Sequence, residues 1–576
     1  MHPVRIVSAM FAMAALVLAQ SPDNTLLIVA DDVGVDGIAC YGLGASPPPT
    51  PNIDALAQRG VRFSNAQACP LCSPTRASIL TGRHAFRTGV GAALGGTDAG
   101  LSPSEVLLPE LLAPIGVRTA LVGKWHLGTD LGALTPTAEG FAEFTGSLQG
   151  ALPNYFQWPK VSNGVVQQST NYATTDAVDE ALAFVGRNQG AWFLQLSFNS
   201  GHTPLHAPPA ALHTQNLTGL DPSTTPIPFY KAMVEAMDHE IGRLFAGIPA
   251  AVLARTNIVF LGDNGTATQV TQAPFDPTQA KGTVYQGGVR VPMIVAGPAV
   301  GGSPRVEANL VHAVDLFSTL AALQGVDARA SVPANVPLDG VDFRPLLQAA
   351  GQAPVRQFSY SQEFGGATAM ASNGDSEMIR DAQFTLLRFR GQTGAVREEL
   401  YDLANDPWET TDLLLQPLNN TSAAAYRSLW RELAQLREYP WTFEYGTSCS
   451  GGGLQPALRA TTTPALGATF TMRITGLNAT ASATFGVVGF RADAWQGVPL
   501  PWDLGTLGMT GCTLLLAPEI TRFLVRTNQA ATWNEALPND PNLLGLGFFT
   551  QGFTLVANAN PTGALATNAL EVLVGR

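Results

Sequence analysis

Thr25-Leu26-Leu27-Ile28-Val29-Ala30-Asp31-Asp32 is the stretch from which the fold is read. Its apolar run does not alternate, the pattern of a strand buried on both faces in the middle of a parallel sheet. The run stops abruptly at two adjacent carboxylates. Alone, such a pair is most often a solvated turn or a helix cap. A second run of the same kind, Thr256-Asn257-Ile258-Val259-Phe260-Leu261, leads into Gly262-Asp263-Asn264-Gly265. Open α/β sheets place ligands at the carboxyl ends of their strands. As parallel neighbours, the two strands would bring Asp31, Asp32, Asp263 and Asn264 to one edge. Hard oxygen donors without His or Cys suit Ca2+, or Mg2+, rather than zinc.

Further strand candidates at Arg118–Val122 and Trp192–Phe198 alternate with amphipathic helical segments at Ala173–Arg187 and Phe229–Ile248. This predicts an α/β fold with a mostly parallel, helix-covered sheet. The first candidate delivers Gly123-Lys124-Trp125-His126-Leu127-Gly128, where Lys124 and His126 are expected to alternate on strand-like backbone and face one side. The second ends in Asn199-Ser200-Gly201-His202-Thr203-Pro204-Leu205-His206-Ala207-Pro208, a proline-rich loop suited to holding a side chain rigidly.

Cys69-Pro70-Leu71-Cys72-Ser73-Pro74-Thr75-Arg76 has proline where a first helical turn tolerates it, and Gly82 supplies a stop. A group at Cys72 would face a helix N-terminus, with Arg76 one turn on, which favours anions and lowers a thiol pKa. A soft thiolate nevertheless matches an all-oxygen metal site poorly. A redox reading of Cys69-x-x-Cys72 lacks the strand-fed context of a thioredoxin motif.

Cys72-x-Pro-x-Arg76 with Thr81-Gly82-Arg83 resembles the signature of the type I sulfatases. Val29-Ala30-Asp31-Asp32, Gly262-Asp263-Asn264-Gly265, Gly123-Lys124-Trp125-His126, His202-x-Pro204 and Lys281-Gly282 resemble further segments of that family, over roughly 23–440. The resemblance implies an alkaline phosphatase-like catalytic domain over 23–345 and a smaller sheet subdomain over 346–445. It implies that a maturing enzyme converts Cys72 to formylglycine, whose hydrate also ligates the metal and attacks sulfur to give a covalent sulfo-enzyme intermediate. Arg76 would fix the hydrate, Lys124 and Lys281 would hold sulfate oxygens, His202 would protonate the departing oxygen, and His126 would take the proton that expels sulfate. His206 and Arg290 match no catalytic position and are expected to be structural, or for His206 a substrate contact. The substrate would be a sulfated sugar or aryl sulfate, with 84–105 and 145–172 as weakly charged rim loops. The alternatives are a phosphate or phosphonate hydrolase of the same superfold, or an inactive sulfatase-like glycan-binding protein.

The remaining features bound the setting. The 576 residues are 46% hydrophobic and 13% charged, and the net charge of −12 argues against broad nucleic-acid or anionic-membrane binding. Arg5, the apolar Ile6–Leu18 and Val17-Leu18-Ala19 read as a signal peptide over 1–19, too short to span a bilayer, so the protein is expected to be exported. Export permits Cys449 and Cys512 to pair, whereas Cys40 reads as a small buried side chain. From 446 onward charges thin out and short β-type runs at Thr469–Ile474, Ala483–Phe490, Thr513–Leu516 and Phe553–Ala557 predict an accessory β-sandwich to 576.

Overall fold

Asn24–Ala30 (β1) is a wholly buried strand in the interior of a ten-stranded sheet. The computed structural model describes residues 23–96, 98–302, 304–365, 375–391, 395–477 and 479–576, so the expected leader at 1–19 lies outside the described residues. The other strands are Val61–Phe63 (β2), Arg118–Lys124 (β3), Glu143–Ser147 (β4), Trp158–Ser162 (β5), Val165–Ser169 (β6), Trp192–Ser197 (β7), Thr256–Gly262 (β8), Met293–Ala296 (β9) and Arg305–Glu307 (β10). Their order is β10-β2-β9-β8-β1-β7-β3-β4-β5-β6.

The interior of the sheet, β8-β1-β7-β3-β4, is parallel throughout. Antiparallel β9 flanks it on one side and the β5–β6 hairpin on the other, so the sheet is mixed. The hairpin corrects the expectation of a rim loop over 145–172. Asn163 and Gly164 both adopt positive φ in its turn, the conformation that tight hairpins favour.

Alternate residues of β1 feed two cores. Leu27 and Val29 pack on the side of Cys72–Thr81 (α1) and Asp315–Leu323 (α4), and Leu26, Ile28 and Ala30 on the side of Ala173–Arg187 (α2) and Pro226–Gly247 (α3). Helices on both faces are what a sheet with no polar face requires. Register places Ala30 beside Gly262, and Gly123 beside Ser197, so the segments that follow β1, β3, β7 and β8 leave one edge together. A smaller antiparallel sheet follows from Ser359–Glu363, Asp375–Arg380, Phe384–Arg390 and Val396–Asp402.

The chain divides into two compact units, up to Asp412 and Leu413–Arg576. In the second, Trp441–Tyr445, Ala481–Gly489, Ile520–Leu524, Gly547–Val556 and Ala564–Leu573 form one antiparallel sheet, and Ala457–Ala460, Thr469–Thr475, Arg526–Thr527 and Ala530–Ala536 another. Phe470, Met472, Leu570 and Val572 share the core of this unit. It begins before 446 because Trp441–Tyr445 pairs with Ala564–Leu573, and Arg427 and Arg431 of the helix Asn420–Arg437 hold Glu571. Of the expected strand Thr513–Leu516, only Thr513–Leu514 pairs, with Trp502–Asp503. Cys449 and Cys512 form a disulfide, while Cys40 is only half-buried. Among the described residues no helix is long and apolar enough to cross a membrane.

Candidate active site

The carboxyl edge of β1 and β8 carries Asp31, Asp32, Asp263 and Asn264, all buried. Cys72 opens α1 beside them, its Sγ 3.3 Å from Asp31 Oδ1 and 3.8 Å from Asp32 Oδ1. One ligand atom from each of Asp31, Asp32, Cys72 and Asp263 lies within 4.8 Å of all the others. Every residue of α1 is buried, and the helix ends at Gly82, whose φ of 68° and close approach to Phe317 leave no room for a Cβ.

Three cations face the three carboxylates. Arg76 Nη2 donates to Asp263 Oδ2 at 2.7 Å and Nη1 to the Lys124 carbonyl at 3.0 Å. Lys124 Nζ lies 2.6 Å from Asp31 Oδ2, and Lys281 Nζ 2.6 Å from Asp32 Oδ1. Burial opposes ionisation of Asp31, yet Lys124, then His202, Arg76 and Lys281, hold its carboxyl well below the ordinary range. Burial and the neighbouring charge of Asp31 push Asp263 the other way. Burial also opposes the charged form of Lys281, but Asp32 raises it. Cys72 departs from its expected reading as a thiolate. Desolvation, reinforced by Asp263, pushes the thiol well above its ordinary value despite Lys124 and Lys281, so helix end and Arg76 do not prevail.

The two histidines come from irregular backbone. Strand β3 ends at Lys124, and His126 adopts φ 57°, so Lys124 and His126 do not alternate along a strand as expected. His126 Nε2 meets the Leu94 carbonyl at 3.0 Å, and its buried Nδ1 has no hydrogen-bond partner among the described residues. Burial, then Lys124 and Arg76, hold the ring neutral well below its usual pKa. His202 donates from Nδ1 to the Thr203 carbonyl at 2.8 Å and turns Nε2 toward Asp32, 3.9 Å away. Its pKa is lowered by burial, with Asp32 working against the shift. Asp32 itself adopts φ 58°. Left-handed backbone costs a non-glycine residue about 1–3 kcal/mol, and such costs cluster at functional sites.

The donor set fits a hard divalent cation. Asn264 Nδ2 donates to Asp32 Oδ1 and to the Gly265 carbonyl, leaving Oδ1 buried without a partner beside the three carboxylates. An orphaned buried acceptor among acids is costly unless a cation meets it.

The family model described as Sulfatase matches residues 23–326, and that described as N-sulphoglucosamine sulphohydrolase, C-terminal, matches 278–439. The chain belongs to the sulfatase family. Arylsulfatase A of Homo sapiens is 30% identical over 504 residues, 78% of this chain and 95% of that protein. N-acetylgalactosamine-6-sulfatase of Sus scrofa is 30% identical over 391 residues, 62% and 70% respectively. The solved structure of Ps i-CgsB in complex with k-i-k-neocarrahexaose aligns with a TM-score of 0.61 at 27% identity, covering 72% of this chain and 93% of that one. The chain is accordingly an arylsulfatase-like sulfuric ester hydrolase.

This sulfatase builds its site with residues that its motifs did not signal. A Cβ on Gly150 would meet His126 Nε2 at 2.3 Å, so only glycine lets that ring sit there. Ser73 Oγ donates to the His126 carbonyl and accepts from Leu94 N–H, tying α1 to the histidine loop. Tyr155 Oη donates to the carbonyls of His202 and Asn199, fixing the loop after β7. His206 lies over Tyr155 with ring centroids 4.2 Å apart, close to Tyr172 and the exposed Phe156. Arg290 donates to the Ser64 carbonyl, outside the cluster.

Proposed function

We propose that the chain hydrolyses sulfate monoesters of a carbohydrate, or of an aryl alcohol, using formylglycine made from Cys72 and a Ca2+ or Mg2+ ion held by Asp31, Asp32, Asp263, Asn264 and position 72. One observation carries the reading: three carboxylates, an orphaned amide oxygen and position 72 share one buried space faced by three cations. A thiol in that space is a soft ligand, whereas an aldehyde hydrate would supply an oxygen nucleophile matched to the other donors. The bound cation would polarise that oxygen and offset charge on the sulfate.

The chain's own residues do the rest. Lys124 and Lys281 bind sulfate oxygens and stabilise charge developing on them. Arg76, anchored on Asp263 and the Lys124 carbonyl, holds the group at position 72 in orientation. In its imidazolium form, which the Asp32 carboxylate 3.9 Å away favours, His202 protonates the departing oxygen from Nε2 while Nδ1–H stays on the Thr203 carbonyl. His126, neutral and with Nδ1 unengaged, takes the proton whose removal releases sulfate. Phe156, exposed beside His206 and Tyr172, lies near the buried Tyr155 that holds the His202 carbonyl, and it offers a face on which a sugar ring can stack. That favours a sulfated sugar, in keeping with the sugar-directed names among the relatives. The Cys449–Cys512 disulfide supports export to an oxidising compartment.

The test is mass spectrometry of the Cys72 peptide after co-production with a sulfatase-maturing enzyme, where formylglycine lowers the mass by about 18 Da. Released sulfate and phosphate are then measured on matched sulfated and phosphorylated sugars. Sulfate release that vanishes in Cys72→Ala is expected. Full turnover in that variant, or a preference for the phosphate ester, refutes the proposal.

A further inference from the structure

The Ala457–Ala460, Thr469–Thr475, Arg526–Thr527, Ala530–Ala536 sheet of the second unit bears a cleft of about 900 Å3 lined by Arg473, Thr475, Arg526, Asn528 and Gln529. No carboxylate is among its described lining residues. From residue 446 onward there are six arginines and no lysine, against six carboxylates. Arg459, Arg473 and Arg526 gather on this one sheet. Arg459 and Arg473 stand directly opposite each other in the ladder, both exposed. Like charges in that position destabilise a sheet, and Glu444 pairs with Arg459 at 3.9 Å. An anionic ligand would remove the conflict.

The frame around the cleft is built rather than loose. Thr527 pairs with Ala530 across the two-residue turn Asn528-Gln529, and Asn528 takes φ 56°, which asparagine tolerates better than most residues. Leu477 N–H donates to the Gln529 carbonyl at 3.2 Å, fastening that turn to the neighbouring strand end. A guanidinium presents a planar fork to an oxyanion, while Thr475, Asn528 and Gln529 offer neutral donors and acceptors of the kind that hold hydroxyls. The concavity is broad and open to solvent, wider than a lone sulfate ion requires.

We propose that this cleft binds a segment of a sulfated oligosaccharide, with Arg473 and Arg526 on its sulfate groups and Thr475, Asn528 and Gln529 on its hydroxyls. The choice of sulfate over other oxyanions rests on the proposed activity. Such a site holds a polymeric substrate on the same chain as the catalytic unit and raises its effective concentration there.

The experiment uses the full matured chain. Affinity electrophoresis through carrageenan, a sulfated galactan, should retard it, and agarose, the unsulfated counterpart, should not. Arg473→Ser/Arg526→Ser should weaken binding to carrageenan by at least about tenfold, the loss of one charge-assisted hydrogen bond. Its melting temperature and its kcat/KM on 4-nitrophenyl sulfate should stay unchanged. In the unsubstituted protein, carrageenan but not agarose should protect Arg473 and Arg526 from phenylglyoxal, a readout independent of how the variant folds. Equal retardation of variant and parent overturns the proposal, as does binding of agarose or single-stranded DNA as tightly as carrageenan. Absent turnover of aryl and sugar sulfates alongside intact carrageenan binding would instead refute the catalytic reading.

Discussion

His202→Gln separates proton donation from sulfate binding. The ring is held by one hydrogen bond, Nδ1 to the Thr203 carbonyl at 2.8 Å, and Nε2 lies 3.9 Å from Asp32. Losing that bond costs folding only about 1 kcal/mol, so the variant should melt close to the parent. The chemical cost is larger and depends on the substrate. General acid catalysis contributes about 10²–10⁴-fold, which is about 3–5 kcal/mol of barrier. A sugar alkoxide cannot leave without a proton, so kcat on a sugar sulfate should fall across that range. A nitrophenolate carries its own charge, so kcat on 4-nitrophenyl sulfate should fall by less than about tenfold, the residue of lost positioning. The assay is kcat for both substrates at saturation, with the melting temperature alongside. Equal losses on the two would place His202 on the sulfate group or in the scaffold and refute its role as the acid.

Chelation should abolish turnover, and Ca2+ or Mg2+ should restore it where Zn2+ does not. Calcium at a hundredfold excess over its Kd should add about 2.7 kcal/mol of stability, and calorimetry should find its Kd tighter in sulfate than in chloride. Arg76→Met leaves Asp263 and Asp31 buried without their shared guanidinium, 2.7 and 3.9 Å away. Removing one partner of a buried charge pair costs about 3–5 kcal/mol, so denaturant melts should shift by that amount, and an unchanged midpoint would contradict the cluster. His206, pushed down to about 4 by burial, takes up its proton in the unfolded chain before the folded one. Stability should therefore fall as pH drops from about 6.5 toward 4, and His206→Gln should flatten that slope in pH-dependent unfolding.

The strands were legible where burial on both faces writes an unbroken apolar run, as at Thr25–Ala30 and Thr256–Leu261, and the convergence of their acids followed from parallel pairing. The helix at Cys72 was legible from its capping chemistry. What escaped reading depends on backbone set by tertiary contacts. His126 follows a strand end and turns at φ 57° because Gly150 leaves space for its ring, and nothing near residue 126 records that. The direction of the Cys72 thiol pKa is hidden from the sequence for a related reason. Helix ends and nearby arginine can be read along the chain, whereas complete burial among acids arrives from β1 and β8. The Asn163-Gly164 turn was a readable hairpin signal masked by the weakly apolar strands beside it. The second unit starts before the change in composition because Trp441–Tyr445 owes its place to a partner strand at the far end of the chain.

The balance of charge in the site gives its parts an order. Asp31, Asp32 and Asp263 face Arg76, Lys124 and Lys281, so by formal charge the buried cluster is neutral. An incoming sulfate ester meets no excess of positive charge there, and each lysine is already committed to an aspartate at 2.6 Å. A divalent cation among the carboxylates changes both conditions at once. It leaves an excess of two positive charges, of which a sulfate monoester, a monoanion, neutralises one and the released sulfate dianion both, and it competes with the lysines for the aspartates. Cation and anion should therefore bind with positive coupling, and linkage requires that each tighten the other by the same factor. A phosphate monoester, largely a dianion at neutral pH, neutralises both charges, so charge alone does not favour the sulfate ester. On the proposed reading, discrimination then falls to what distinguishes the esters themselves, the geometry of Lys124 and Lys281 around the oxyanion and the exposed Phe156 near His202.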